Sequence, residues 1–309
     1  VWNAVCSTPW AIIPEKLALI IEVVRVHAAG ERDRELEQSY AMLAAARSGS
    51  RRAGSIAVLP LYGVVAQRMD LMSASSGGCS TEQFAQSFRQ AMADPSVAQV
   101  VIDIDSPGGS VYGVAELADE IYNARKAKPI AAIANSLAAS AAYWIGSAAG
   151  ELSCTPSGEV GSVGVFASHF DESRMIEALG VTPTLISAGK FKTEGNPYQP
   201  LDQEALGAIQ KRVDDYYGMF IKGVARGRGA SLAAVRDGFG QGRVVGAADA
   251  LKLGMIDHVE TLDQMLARLG GGSLQSSIGA RAECESEIET ARARLRLRSA
   301  KASGRGATI

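Results

Sequence analysis

With 309 residues, 47% of them hydrophobic, the chain can bury a sizeable core in one to three domains. A net charge of -2 at pH 7 supplies no global field that would draw it to nucleic acid or to an anionic membrane. Its four cysteines, Cys6, Cys79, Cys154 and Cys284, show no CxxC spacing, which excludes a zinc ribbon or a disulfide framework and fits reduced thiols in a cytoplasmic compartment.

Residues 1–54 read as an N-terminal helical extension. After the Pro-bounded "TPWAIIP", Ile20, Val23, Val24 and His27 recur at helix spacing, so a helix or two packed on a neighbour is expected. "KLALIIEVV" (Lys16 to Val24) is the most apolar run. It falls short of the ~18–20 residues of a transmembrane helix. Glu15 and Glu22 flank or interrupt it, and it lacks the basic start and small-residue cleavage site of a signal peptide. No transmembrane segment is expected.

Residues 55–269 read as the main domain. "SIAVLPLYGVV" is a strand and turn. Thr81 is a candidate cap for a helix through "EQFAQSFRQAMAD". "VAQVVIDIDSPGG" is a buried strand that ends in a glycine turn, "SVYGVAELADEIYNARKA" an amphipathic helix, and "PIAAIAN" the next strand. A helix follows Ser140, then the strand-like "GELSCTP" and "GSVGVFAS". Later come a long amphipathic helix in "QPLDQEALGAIQKRVDDYYGMFIKGVARGRG" and a closing helix, strand and helix. Short apolar strands alternating with helices predict an α/β fold with a mainly parallel sheet. Beyond "GGGS" (Gly270 to Ser273), residues 270–309 form a charged tail. There Glu283, Glu285, Glu287 and Glu289 precede Arg292, Arg294, Arg296, Arg298 and Lys301, as in a solvated, flexible segment.

Three stretches carry chemistry. In "DSPGG" (Asp105 to Gly109), Pro107 fixes one φ, and Gly108 and Gly109 allow a sharp turn that can aim bare N–H groups at a substrate. An ordinary strand-to-helix turn fits the same residues. Ser140 stands alone among Ala138, Ala139, Ala141 and Ala142, which would let a peptide backbone approach closely. It is either a nucleophile or the cap of an Ala-rich helix. As a nucleophile it could use N–H groups of Gly108 or Gly109 and of Ala141 as an oxyanion hole. "ISAGKFKTEGNPYQPL" places Lys190 and Lys192 after an apolar strand-like run. A lysine becomes a base where burial disfavours its charge, and Ser-Lys pairs are a variant of the serine triad. Two solvated surface lysines fit equally well. The three histidines, His27, His169 and His258, have no evident placement beside Ser140.

"DSPGG", "LAASAAYWIGSAA", "GEVGSVGVF" and "GKFKTEGNPYQPL", in this order and spacing over roughly residues 55–269, resemble the signal peptide peptidase A family. These are Ser-Lys serine peptidases of the Clp protease/crotonase-like fold, built from repeated ββα units. The resemblance implies Ser140 as nucleophile, Lys192 as general base, Ser162 as the hydroxyl that orients the lysine, and Gly108, Gly109 and Ala141 as oxyanion positions. It implies no cofactor or metal, a polypeptide substrate, and a homo-oligomeric ring with one copy of each motif per chain. Two departures stand out. "SAA" replaces the more usual "SGG" after the nucleophile, and Val160-Gly161 replaces the usual Thr before the "GS" pair.

Within that resemblance the opening "TPWAIIPEKLALIIEVV" is similar to the extension of the phage capsid (prohead) protease branch. This implies a head-maturation enzyme that cleaves scaffold or capsid proteins in the host cytoplasm or in a procapsid. The tail would then be part of a scaffold segment. A cellular peptidase that degrades cleaved signal peptides is the alternative. A crotonase-like acyl-CoA enzyme is a reading from another class, since fold alone does not set function. Such enzymes place carboxylates where this chain offers Ser140.

Overall fold

The computed structural model describes residues 9–18, 21, 49–68 and 78–270. His27, Cys6, Cys284 and the charged tail beyond residue 270 lie outside the described residues. The chain divides into two compact units, Val1–Leu262 and Asp263–Ile309.

The first unit is α/β, as the alternation of strands and helices implied. Its main sheet runs in the order β11-β10-β8-β6-β3-β2. The strands are β2 (Arg51–Ala53), β3 (Ile56–Tyr62), β6 (Gln99–Ser106), β8 (Ile130–Ala139), β10 (Glu159–Gly161) and β11 (Val244–Gly246). The neighbours β3, β6, β8 and β10 are parallel, and only the edge strands β2 and β11 are antiparallel to theirs. β9 (Glu151–Cys154) joins β8, and β12 (His258–Val259) joins β9, both in parallel. The inner strands are continuous apolar runs, "VVI" in β6 and "IAAIA" in β8, because a parallel sheet is covered on both faces.

A second, four-stranded sheet has the order β1-β7-β4-β5. It comprises β1 (Trp10–Ile12), β4 (Val65–Ala66), β5 (Cys79–Ser80) and β7 (Gly108–Ser110). Pro107 carries the chain from β6 into β7, so the "DSPGG" turn hands it from one sheet to the other. β3 and β4 lead to α1 (Thr81–Ala93), and β6 and β7 lead to α2 (Val114–Ala124). These are two successive units of the ββα kind. α1 is capped by Ser80, not Thr81: the Ser80 hydroxyl accepts the Gln83 N–H at 3.3 Å. Ser80 closes β5 with extended dihedrals and so sits at the cap, while Thr81 is already helical.

β8 pairs with β9 through residues 131–134 and with β10 through residues 137–139. Between these spans its register against β6 shifts, from Ile104 opposite Ala134 to Ser106 opposite Ala138. Ser136 takes φ 118° there, and its hydroxyl donates to Asp105 at 2.9 Å. Such a bulge redirects a strand end. It delivers Ala138, Ala139 and Ser140 against β10 rather than onward along β9.

α3 (Ala141–Ser147) follows Ser140 directly and is wholly buried. Its Tyr143 hydroxyl donates to Met255 O at 2.9 Å, and Trp144 stacks on Phe220 with centroids 4.8 Å apart. Phe220 belongs to the 26-residue α5 (Gln203–Arg228), which follows the short α4 (Ser173–Ala178). Phe220, Gly223, Val224 and Gly227 share one face of α5, and the glycines let that face come close to α3. A Cβ at Gly227 would lie 2.2 Å from Ser147 O, whereas one at Gly218 meets nothing within 4 Å. Gly227→Ala should therefore cost about 1–3 kcal/mol through overpacking against backbone. Gly218→Ala should gain about 1 kcal/mol of helix propensity. Urea unfolding of both variants checks the sign difference.

At the C-terminal end of α5, Arg228 forms a two-pronged pair with Asp257 at 2.7 and 2.8 Å, and Asp257 also accepts the Leu152 N–H at 2.8 Å. Burial opposes the Asp257 charge. These hydrogen bonds and the Arg228 charge outweigh it and hold the carboxyl below its ordinary pKa. The first unit also contains α6 (Ala247–Lys252). α7 spans Leu262–Gly270, and its residues from Asp263 on are the described part of the second. No helix among the described residues is long and apolar enough to cross a membrane.

The helix expected from Ile20, Val23, Val24 and His27 lies outside the described residues, though residues 14–18 ahead of it are helical. The stretch also holds two strands that were not expected: Trp10–Ile12 is built into the second sheet, and β2 extends the main sheet ahead of residue 55.

Candidate active site

Ser140 sits at the junction of β8 and α3 with φ 54° and ψ -117°. Side chains other than glycine rarely take this conformation, and such strain concentrates at functional positions. Ser140 is held there by its own backbone. Its N–H donates to Gly161 O at 2.7 Å, and its carbonyl accepts the Trp144 N–H at 2.9 Å. The residue is 1% exposed. Its hydroxyl donates only a long bond, 3.4 Å, to Gly164 O.

The segment from Gly161 to Gly164 wraps around this serine. Ser162 is buried, takes φ 52°, and donates its N–H to Arg243 O at 2.8 Å. Gly108 closes the site from the other side. With φ 95°, it has no space for a side chain: an added Cβ would lie 2.9 Å from Ala139 O and 3.0 Å from the Ser140 Cβ. Gly109 is packed against Val65, where an added Cβ would lie 1.8 Å from a carbonyl oxygen. Ala141 is buried at the first position of α3, where a helix leaves its N–H without an intrahelical acceptor. Five of the six residues singled out by sequence, Ser140, Ala141, Ser162, Gly108 and Gly109, thus converge at the C-terminal end of the parallel sheet, where α/β folds place their sites.

Lys192 is not among them. It lies in an exposed stretch, and its side chain makes no hydrogen bond or ion pair with another described residue. Lys190 is engaged elsewhere, 2.8 Å from Glu204 and over the Phe191 ring at 4.4 Å. The run before the lysines, expected as an apolar strand, forms no strand. Its apolar side chains face outward: Val181 is 56% exposed and Ile186 95%.

The other candidate bases and nucleophiles are occupied. His169 Nε2 lies 3.1 Å from Asn196 O, and His258 lies 3.9 Å from Glu151. Burial pushes the thiols of Cys79 and Cys154 up to about 12, which leaves them protonated and unreactive at neutral pH. No group of His, Cys, Asp and Glu among the described residues is placed to hold a metal ion.

Sequence reasoning missed the Gly164 carbonyl and, more importantly, Trp10–Ile12, which runs past the site on β7. Two prolines bracketing a short apolar run (Pro9 and Pro14) were a usable strand signal.

Comparison with known proteins adds to this geometry. Residues 122–273 match the model of Peptidase family S49, a span that contains Ser140, Ser162 and Lys192. The chain is 38% identical over 185 residues to the head-tail preconnector protein GP5 of Enterobacteria phage P21, covering 60% of this chain and 37% of that protein. It is 32% identical over 230 residues to the capsid assembly protease C of Escherichia phage lambda, covering 71% and 52%. It is 29% identical over 205 residues to a putative signal peptide peptidase SppA of Enterococcus faecium, covering 66% and 59%. The chain thus spans roughly a third to a half of the two phage relatives' own lengths.

Proposed function

We propose that the chain, whose residues 122–273 match Peptidase family S49, is a Ser-Lys endopeptidase acting in phage or prophage head maturation, with scaffold or capsid polypeptides as substrates in the host cytoplasm or procapsid. The observation that carries the reading is the strained, buried Ser140, enclosed by Gly108 on one side and Gly161–Gly164 on the other. The two phage relatives favour the capsid role over signal-peptide degradation.

In this mechanism the Ser140 oxygen attacks a peptide carbonyl carbon, and its proton passes to the amine of Lys192. Ser162 orients that amine. N–H groups of Gly108 or Gly109 and of Ala141 stabilise the oxyanion. The lysine then returns the proton to the leaving amine, and water hydrolyses the acyl-serine. Since no bond joins Lys192 to Ser140 within one chain, the lysine comes from a neighbouring protomer in a closed ring. Head-to-tail interfaces that close on themselves generate such rings.

The test is covalent labelling of the assembled protein with a fluorophosphonate, followed by peptide mapping. A single adduct on Ser140 is expected, together with cleavage of an unfolded protein. An assembled, unlabelled chain without cleavage would refute the reading.

A further inference from the structure

β1 is paired on both edges. On one it runs antiparallel to β7, with Trp10 opposite Ser110, Ala11 opposite Gly109 and Ile12 opposite Gly108. The ladder continues beyond the strand: Val111 N–H donates to Pro9 O at 3.4 Å, and Ile13 N–H donates to Pro107 O at 3.1 Å. Antiparallel bonds recur at every second residue, so Ala11 and Gly109 are the hydrogen-bonded pair between those two. On the other edge Trp10 and Phe166 exchange both backbone bonds, at 2.8 and 3.0 Å. Residues 9–13 therefore fill a slot between the strand that follows the glycine turn and the strand-like segment that follows Ser162.

The slot passes over Ser140. A Cβ at Gly108 would meet Ala11 O at 2.3 Å and the Ser140 Cβ at 3.0 Å, so the backbone of residue 11 and the nucleophile approach the same point. The side chains of β1 add a pattern. Ala11 is completely buried and reaches the main core, while Trp10 and Ile12 pack with Leu17, Val64 and Phe166 in a small cluster of their own. The two large side chains of the strand thus lie outside the main core, and a departing strand would withdraw only the Ala11 methyl from it.

We propose that this slot is the peptide-binding cleft, and that residues 9–13 are its internal ligand, a strand of the chain's own that a substrate must displace. The cleft takes an extended peptide with a small residue opposite Gly109 and large apolar residues on either side. Backbone bonds on both edges supply affinity, and alternate side chains supply selectivity, as in other cases of strand addition. The proposal rests on Ser140 as the nucleophile for its meaning, but not for its test.

Binding is measured in the Ser140→Ala chain, which cannot turn peptide over. The probe is a fluorescent peptide copying residues 7–15. An occupied cleft lowers apparent affinity by the fraction of open molecules, so the added pair Trp10→Ser and Ile12→Ser should tighten binding about tenfold or more. The same peptide with arginine at the position of Ala11 should not bind. In the chain with its own strand intact, excess peptide should speed hydrogen exchange at the Trp10 and Ala11 amides. Equal binding with and without the strand substitutions, or exchange at these amides unmoved by peptide, would overturn the proposal and make β1 a fixed structural strand. Displacement of β1 in a chain whose Ser140 takes no fluorophosphonate would overturn the peptidase reading instead.

Discussion

Ser140→Ala is expected to lower the turnover of an unfolded protein substrate on the order of 10⁶-fold, the scale on which loss of a serine nucleophile is felt. Its thermal unfolding should stay close to that of the parent. The substitution removes one oxygen whose only partner among the described residues is Gly164 O at 3.4 Å, a bond too long to contribute more than about 0.5–1.5 kcal/mol. It leaves the backbone strain unchanged, because alanine carries the same Cβ into the φ of 54°. The backbone bonds that hold the turn, from Ser140 N–H to Gly161 O and from Trp144 N–H to Ser140 O, do not involve the side chain. Activity and melting must be read on the same preparation. A variant that still cleaves would remove Ser140 from the mechanism. One that unfolds early would show that the hydroxyl serves the turn.

The parts of the fold that were legible share one property: their sequence pattern and their packing partner agree locally. β6 and β8 are unbroken apolar runs because both faces are covered, and α5 reads as amphipathic over 26 residues. The setting of Ser140 was legible for a similar reason. Small neighbours are needed where the Ser140 turn, Gly108 and the Gly161 carbonyl crowd together.

What was not legible depends on distant or external partners. Pro9 and Pro14 bound a short apolar run in "TPWAIIP", but what makes Trp10–Ile12 a strand is the two edges that β7 and Phe166 offer it, and neither edge shows in those residues. The bulge at Ser136 is set by its mismatch with β6 and by a hydrogen bond to Asp105, neither visible in "IAAIANSLAA". The run "VTPTLIS" has the residues of a strand but pairs with no strand among the described residues.

That last mismatch leads to the second large effect. Mixed rings of Ser140→Ala and Lys192→Met protomers are expected to recover activity that neither variant has alone. Within one chain Lys192 has no described side-chain partner, while Lys190 is tied to Glu204. The approach to the lysines is lined by apolar side chains left in water, among them Val181, Leu185, Ile186 and Phe191. Several exposed apolar side chains so close in sequence suit an interaction site. Docked on a neighbour, the segment would gain the strand edge it lacks, and Lys192 would enter a drier setting beside another protomer's Ser140. Methionine at 192 keeps an apolar stem and removes the amine, so the interface should form without the base. With random mixing at equal amounts, about a quarter of the interfaces pair an intact serine with an intact lysine, and activity should return in that proportion. Native mass spectrometry must show that the rings are mixed. Mixed rings without activity would place both residues of the dyad in one protomer, and an active monomer would refute assembly as the switch.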